Sequence, residues 1–190
     1  MMMMWQSLFF VVFTLVSFGH SEDCTNVPIN KWLSFEVKKI DQSPVKYPIK
    51  IYIYISDKDG DTFEYNRQYY SDNQKYYLWL LNNKFFVYDP AKPNVCNISQ
   101  GRETDSLLNF FNNKQFVGEK TIDGNKIYLY KLILQNDELY NGTTYGLQPT
   151  SDSGLNCELV YFKKEKLEAT AVTDNSIQSL SSDFFPDACM

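Results

Sequence analysis

Hydrophobic and polar positions alternate along most of the chain, in the pattern of β-strands. Every second residue from Ile49 to Ile55 is isoleucine, and lysine or tyrosine lies between them. This period of two is typical of a strand with one buried face. It predicts strands over residues 49–55, 62–70, 75–81, 84–88, 116–122, 126–134, 155–163 and 167–173. The chain is therefore expected to be mainly antiparallel β.

Turn residues separate these segments and predict hairpins. Asp57-Lys58-Asp59-Gly60-Asp61, Asn82-Asn83 and Asp123-Gly124 each lie between two strand patterns, and such dipeptides suit tight hairpin turns. One segment, 106–113, has the pattern of a short helix, with Leu107, Leu108, Phe110 and Phe111 on one face and Thr104 or Asp105 as its cap. No repeat or linker divides the chain.

The first 21 residues have the pattern of a signal peptide. An apolar run extends from Leu8 to Phe18, and small residues at Ser17, Gly19 and Ser21 fit cleavage after position 19 or 21. The run is short for a bilayer-spanning helix, which needs about 20 apolar residues. Residues 22–190 are then expected to form one domain without a transmembrane segment.

Four cysteines and two glycosylation sequons agree with a secretory route. An even number of cysteines in a secreted chain predicts two disulfides, and four cysteines allow three pairings. The sequons place glycans at Asn97 and Asn141. The expected location is extracellular or the lysosomal lumen. The cysteines are Cys24, Cys96, Cys157 and Cys189.

Charge and composition exclude several classes of function. The only histidine is His20, at or before the expected cleavage point, so histidine-based catalysis and histidine metal ligands are absent from the mature part. The formal net charge is −5 with no basic cluster, which argues against nucleic acid as a partner. The chain is expected not to be an enzyme. A hydrolase with paired carboxylates is the rival, because 23 Asp and Glu are available.

The acidic segment Asp57–Asp61 resembles the start of a calcium loop. The match then fails, because Thr62 stands where such a loop needs glycine and Gln68 where it needs a bidentate glutamate. A solvated hairpin turn is the preferred interpretation, with weak calcium binding as the alternative. No other cofactor is expected.

Aromatic residues form the best functional lead. A strongly bent sheet could line an apolar cavity with them, whereas simple core packing is the alternative interpretation. The residues assigned to a ligand pocket are Phe63, Tyr65, Tyr77, Trp79, Phe86, Phe110, Phe111, Tyr128 and Tyr130.

Short motifs in sequence order resemble the ependymin-related proteins. Cys24 followed by Trp32 is similar to the start of their mature domain, and the hairpin at 57–60 to their Asp-Gly hairpin. Residues 85–88 leading to Cys96 are similar to their next strand and cysteine, and residues 154–157 to their later cysteine. The ending 184–189 resembles their Phe-x-Pro-x-x-Cys tail. The family commonly has a further cysteine pair, and both of its members are missing here.

The resemblance implies a LolA-like half-barrel. Curved antiparallel sheets would surround an apolar pocket, partly closed by one or two short helices. It also implies the disulfides Cys24–Cys157 and Cys96–Cys189, a homodimer, and links to lipid, calcium and cell–matrix adhesion. Three hypotheses follow: a non-enzymatic carrier of lipid or another apolar ligand, a calcium-responsive adhesion or matrix glycoprotein, and a secreted hydrolase.

Overall fold

A computed structural model describes residues 24, 31–40, 46–58, 61–81, 84–150, 156–174 and 185–190. The predicted signal peptide and the turn residues 59–60 and 82–83 lie outside these ranges. The described part is mainly antiparallel β, as the sequence predicts. The strands are β1 Trp32–Lys39, β2 Lys50–Lys58, β3 Asp61–Tyr69, β4 Lys75–Leu81, β5 Lys84–Tyr88, β6 Cys96–Gln100, β7 Lys114–Ile122, β8 Asn125–Leu132, β9 Thr143–Pro149, β10 Cys157–Lys164 and β11 Leu167–Ala171.

All eleven strands belong to one sheet rather than to several. The order across the sheet is β6-β5-β4-β3-β2-β1-β11-β10-β9-β8-β7. The strands therefore form two meanders, β1–β6 and β7–β11, joined where β1 pairs with β11 in antiparallel register. Consecutive strands can pair directly in this way because antiparallel neighbours need only short connections.

Hairpin geometry agrees with the turn residues in the sequence. Asp123 and Gly124 both have positive φ, 49° and 80°, between β7 and β8. That is the backbone that the favoured two-residue hairpin turn requires. The first pair of strands extends further than the sequence pattern suggested, because Lys58 of β2 pairs with Asp61 of β3. Strands β1, β6 and β9 were not predicted.

A short helix, α1 (Leu107–Asn112), packs on one face of the sheet, here called the inner face. The main core cluster lies on this side and combines residues of both meanders with Leu107, Phe110 and Phe111 of α1. A second cluster covers the opposite face of β1–β6, here called the outer face. Two 3-10 turns, Glu103–Asp105 and Asp187–Cys189, complete the described elements.

Two disulfides tie the chain ends to the sheet, in the pairing that the family resemblance implies. Cys24 is joined to Cys157 at the start of β10, with the two Cα atoms 5.3 Å apart. Cys96 of β6 is joined to Cys189, with the Cα atoms 5.2 Å apart. The second bond holds the C-terminal residues against the outer face.

Candidate functional site

A cleft of about 350 Å³ opens on the inner face between the two meanders. Strands β2–β5 supply one wall, β9–β11 supply the other, and the start of α1 borders one end. Such a volume falls in the range of small-molecule sites. The apolar lining consists of Pro48, Ile51, Ile53, Leu78, Leu80, Phe85, Leu107, Tyr145, Phe162 and Leu167.

Charged residues border the cleft beside the connection into β2 and the β10–β11 turn. Lys46 lies there together with Lys164 and Glu165. Lys46 forms an exposed ion pair with Asp72, and this hydrogen bond raises the pKa of the lysine. Solvent screens such a pair, so it adds little to stability. It does restrict where the Lys46 ammonium can lie.

Glu64 of β3 fixes the start of α1 at the other end of the cleft. Its carboxylate accepts hydrogen bonds from the Leu107 backbone N–H at 2.9 Å and the Leu108 N–H at 2.8 Å. The Ser106 hydroxyl donates to the same carboxylate at 2.6 Å. Helix N-termini leave several N–H groups without intrahelical partners, and Glu64 satisfies two of them. Burial raises the pKa of Glu64, although these hydrogen bonds oppose the shift.

Ser106 is the N-cap of α1, whereas the sequence favoured Thr104 or Asp105. Its side chain accepts from the Asn109 N–H at 3.0 Å, the usual capping bond of a serine. Asp105 instead accepts from Arg102, through the backbone N–H at 3.0 Å and the guanidinium. The helix therefore begins one residue later than expected.

Aromatic packing holds α1 down on the second meander. The rings of Phe110 and Tyr145 have centroids 4.1 Å apart, and Phe110 also contacts Phe111 edge-to-face. Burial raises the pKa of the Tyr145 phenol. Aromatic pairs of this kind add about 0.5–1.5 kcal/mol beyond simple burial.

Most of the predicted pocket residues do not line this cleft. Phe63, Tyr77, Trp79 and Phe86 belong to the outer cluster and do not line the cleft. The reason is the strand period: residues 63 and 65 face outward, so residues 64, 66 and 68 of the same strand face the cleft. Tyr65 borders the cleft, although its ring packs in the outer cluster.

The remaining four predicted pocket residues lie on the inner side but in the packed core. Phe110, Phe111, Tyr128 and Tyr130 contact the main cluster rather than line the cleft. Their positions agree with the core-packing alternative.

The C-terminal residues cover the outer aromatic surface. Phe185 contacts Trp79 and Phe86, with ring centroids 5.3 Å and 5.2 Å apart. Tyr65 stacks on Trp79 at 4.8 Å, and the Arg67 guanidinium lies 5.1 Å from the centroid of the Tyr65 ring. The outer aromatics are thus a packed second core.

Sequence reasoning missed the polar row of β3 that faces the cleft. Glu64, Asn66 and Gln68 alternate with aromatic or charged residues, and the aromatic set was chosen as the functional one. The signal was present in the chain, because three polar residues at every second position mark one face of a strand. Only packing shows that this face is the inner one.

Neither a metal-binding cluster nor a membrane-spanning helix occurs in the described part of the chain. No group of three or more His, Cys, Asp or Glu side chains that could hold a metal ion occurs among the described residues. The middle of the acidic segment Asp57–Asp61 lies outside them. No helix in the described ranges is long and apolar enough to cross a membrane.

Both sequon asparagines are exposed. Asn97 lies on the edge strand β6, and Asn141 lies between β8 and β9, where its side-chain oxygen accepts from the Lys131 ammonium at 2.8 Å. Their exposure is compatible with glycosylation, which stays a prediction.

Comparison with known proteins gives a distant likeness in fold. No protein-family model matches the chain, and no curated protein matches it. Among solved structures the chain is similar to LprF from Mycobacterium bovis, with a TM-score of 0.34 and 10% identity. The alignment covers 74% of this chain and 83% of that one. The class is therefore defined by the structure itself: a disulfide-bonded, mainly antiparallel β protein with an inner-face cleft.

Proposed function

We propose that this protein binds a lipid or another apolar small molecule in the inner-face cleft and acts as a non-enzymatic carrier. The observation that carries the proposal is the apolar lining that both meanders contribute to one cleft beside α1. A site lined by aliphatic and aromatic side chains suits hydrocarbon. Each buried methylene contributes about 0.8 kcal/mol, so part of an acyl chain is enough for useful affinity.

The alternative function is a hydrolase that uses paired carboxylates, and the hydrogen bonds of the two carboxylates at the cleft argue against it. Glu64 and Asp105 both border the cleft. Glu64 accepts from Ser106 and two backbone N–H groups, and Asp105 accepts from Arg102. Both carboxylates thus hold the 3-10 turn and α1 in place. A general acid and base pair would need carboxyl groups directed at a substrate.

A secreted or lysosomal location completes the proposal. Two disulfides that join distant parts of the chain suit an oxidising compartment. The exposed asparagines Asn97 and Asn141 leave room for glycans. Membership of the ependymin-related proteins would fit the same location and ligand class, and it stays a proposal.

Fluorescence binding of Nile red, an uncharged apolar dye, tests the cleft directly. The wild-type protein is expected to bind the dye and to release it when a long-chain lipid is added. Leu78→Trp fills the cleft, because Leu78 lines it, and should weaken dye binding at least tenfold. Leu129→Trp is the matched control. Leu129 of β8 pairs with Gly146 of β9, lies on the face of the sheet opposite to the inner face, and does not line the cleft.

Equal dye binding by Leu78→Trp and the wild type would overturn the proposed site. Native mass spectrometry of protein from a secretory host provides the second measurement. Co-purified lipid in the wild type, reduced in Leu78→Trp, is the expected result. If the protein neither binds the dye nor carries co-purified lipid, the carrier proposal is wrong and the adhesion hypothesis is favoured.

A further inference from the structure

Two rows of lysines cross the junction of the two meanders, where β1, β11 and β10 lie side by side. The row before them, Val37–Ala169–Phe162, packs in the main core of the inner face. Successive side chains of a strand point to opposite faces of the sheet. The next row therefore points outward, and the row after it points inward again.

The outward row carries its own counter-charge. It consists of Lys38, Glu168 and Lys163, paired across the three strands. Glu168 also accepts a hydrogen bond from the Lys120 ammonium, and this bond lowers the pKa of Glu168. Opposite charges that face each other across strands attract, so the two lysines of this outer lysine row are balanced within the protein.

The inward row has a leucine where the outer row has an acid. It consists of Lys39, Leu167 and Lys164, again paired across the three strands. Both lysines are exposed, and they take part in none of the ion pairs among the described residues. This inner lysine row therefore places two positive charges on either side of an apolar side chain.

The inner lysine row forms part of the rim of the cleft. Leu167 and Lys164 line the cleft itself. The Lys39 ammonium lies 5.7 Å from the centroid of the Tyr47 ring, which also lines the cleft. Lys39 borders an adjoining recess that shares Tyr47 and Lys46 with the cleft.

The acids at this end of the cleft do not cancel its positive charge. Lys46 forms its ion pair with Asp72. Glu165 also lines the cleft, but it lies in the β10–β11 turn between Lys164 and Lys166. Among the described residues at the rim, the lysines therefore outnumber the acids.

The carboxylate that anchors α1 lies far from the inner lysine row. Glu64 pairs with Ile55, and Lys50 pairs with Glu36. Ile55 and Lys50 are five positions apart, and Lys39 lies three positions beyond Glu36 in the same direction. Eight residues of strand span about 26 Å, well over the Debye length of about 8–10 Å at physiological salt. A negative charge at the rim is therefore hardly repelled by Glu64.

We infer that the cleft takes a lipid with an anionic headgroup, which lies between Lys39 and Lys164 while the hydrocarbon chain lies against Leu167 and the apolar lining. This inference rests on the proposed function and names the ligand class of the same site. A cationic headgroup would be repelled at this rim, and a neutral one would gain nothing from the lysines. A few polar groups on an apolar lining commonly set the specificity of such sites.

Dodecanoate and dodecanol form a matched probe pair for displacement of Nile red. They have the same number of carbons, and at about pH 7.5 dodecanoate is charged whereas dodecanol is not. The disulfide-bonded protein from a secretory host is measured at an ionic strength of about 0.02 M, where screening is weak. Both probes are kept below the concentrations at which they aggregate.

The double variant Lys39→Gln/Lys164→Gln removes both charges of the inner lysine row. Its affinity for dodecanoate relative to dodecanol should fall about threefold to tenfold, the effect of losing two exposed charge pairs. About 0.5 M NaCl should reduce the same ratio in the wild type, because salt screens exposed charges.

Lys38→Gln/Lys163→Gln is the matched control. It removes the same two charges from the same two strands, one position away and on the opposite face. The dodecanoate-to-dodecanol ratio should stay within about twofold of the wild type. The control therefore separates a local contact with the headgroup from the general loss of two positive charges.

Dodecyl phosphate in place of dodecanoate distinguishes a phosphate-bearing lipid from a fatty acid. A loss with either anion in the inner variant supports the inference, and the larger loss identifies the headgroup. If both double variants change the ratio equally, or if neither does, the inference is wrong while the cleft remains an apolar site. If the dye does not bind, or if no probe displaces it, the proposed function fails and the inference fails with it.

Discussion

Ser106 and Glu64 lie 42 positions apart in the chain, and the Ser106 hydroxyl donates a hydrogen bond to the Glu64 carboxylate at 2.6 Å. The bond joins the N-cap of α1 to the inner face of β3. Together with the two backbone N–H groups that Glu64 also accepts, it makes one strand residue responsible for the position of the helix beside the cleft. The fold and the proposed site therefore depend on the same carboxyl group.

Replacing Glu64 by leucine is expected to destabilise the protein by about 1–3 kcal/mol, because two helix N–H groups lose their acceptor. Glu64→Gln should cost less, since its carbonyl oxygen can still accept one of these bonds. Urea unfolding measures both effects. Glu119→Leu is the control, because Glu119 is exposed and its ion pair is with the exposed Lys126. Its effect should stay within about 0.5 kcal/mol, and an equal loss in both leucine variants would contradict the role of Glu64.

The raised pKa of Glu64 predicts a specific pH dependence. Its pKa lies above the value of 4.5 expected in the unfolded chain, because burial disfavours the charged carboxylate. The Glu64 carboxyl group thus binds a proton more tightly in the folded state than in the unfolded chain. Its contribution to the free energy of unfolding is fully present below about pH 4.5 and is lost as the pH rises through the folded-state pKa.

Urea unfolding of wild type and Glu64→Gln from about pH 4 to about pH 8 measures this effect, since the variant cannot titrate at this position. The wild type should lose stability relative to Glu64→Gln as the pH rises. A relative gain would show that the hydrogen bonds from α1 outweigh burial.

The Cys96–Cys189 disulfide is expected to stabilise the protein by holding the C-terminal residues on the outer cluster. The bonded residues are 93 positions apart. Closing a loop of this length contributes about 4–5 kcal/mol in the chain-entropy model, as an upper estimate. The double variant Cys96→Ser/Cys189→Ser should lose most of this and expose Trp79, which tryptophan fluorescence would report as a red shift.

Phe185→Ala separates the ring contact from the covalent tether. It removes the packing on Trp79 and Phe86 but keeps the disulfide. A loss of about 1–3 kcal/mol is expected, below the 3–5 kcal/mol typical of a fully buried phenylalanine. An unchanged fluorescence spectrum in both variants would show that the tail does not cover Trp79 in solution.

Gly146 of β9 leaves no room for a side chain. A Cβ atom there would lie 2.9 Å from Tyr161 Cβ and 3.0 Å from Ile127 Cδ1. Gly146→Ala is therefore expected to cost about 1–3 kcal/mol through overpacking. Gln148→Ala, two positions along the same strand and partly exposed, is the control and should change thermal stability little. Equal melting temperatures for the two variants would contradict the close packing of β9 on β10.

The sequence predicted local structure well where one signal decided it. The isoleucine alternation of β2 and the Asp123-Gly124 turn depend on neighbouring residues only. β9 was missed because Gly146 and Pro149 are poor strand residues, and tertiary packing of Gly146 against Tyr161 and Ile127 overrides that preference. The cap of α1 was misassigned because three adjacent residues, Thr104, Asp105 and Ser106, can all cap a helix.

The sequence by itself determined the periodicity, and therefore which residues of each strand share a face. Glu64, Asn66 and Gln68 share one face of β3 for this reason. Only the tertiary structure decided which of the two faces is the inner one. One side of β3 carries aromatic residues, and the other carries polar residues that have aliphatic neighbours in β2 and β4. Nothing within the strand itself tells which of these sides faces the cleft. The choice depends on contacts from distant parts of the chain, with α1 over Glu64 on one side and Phe185 over Trp79 on the other.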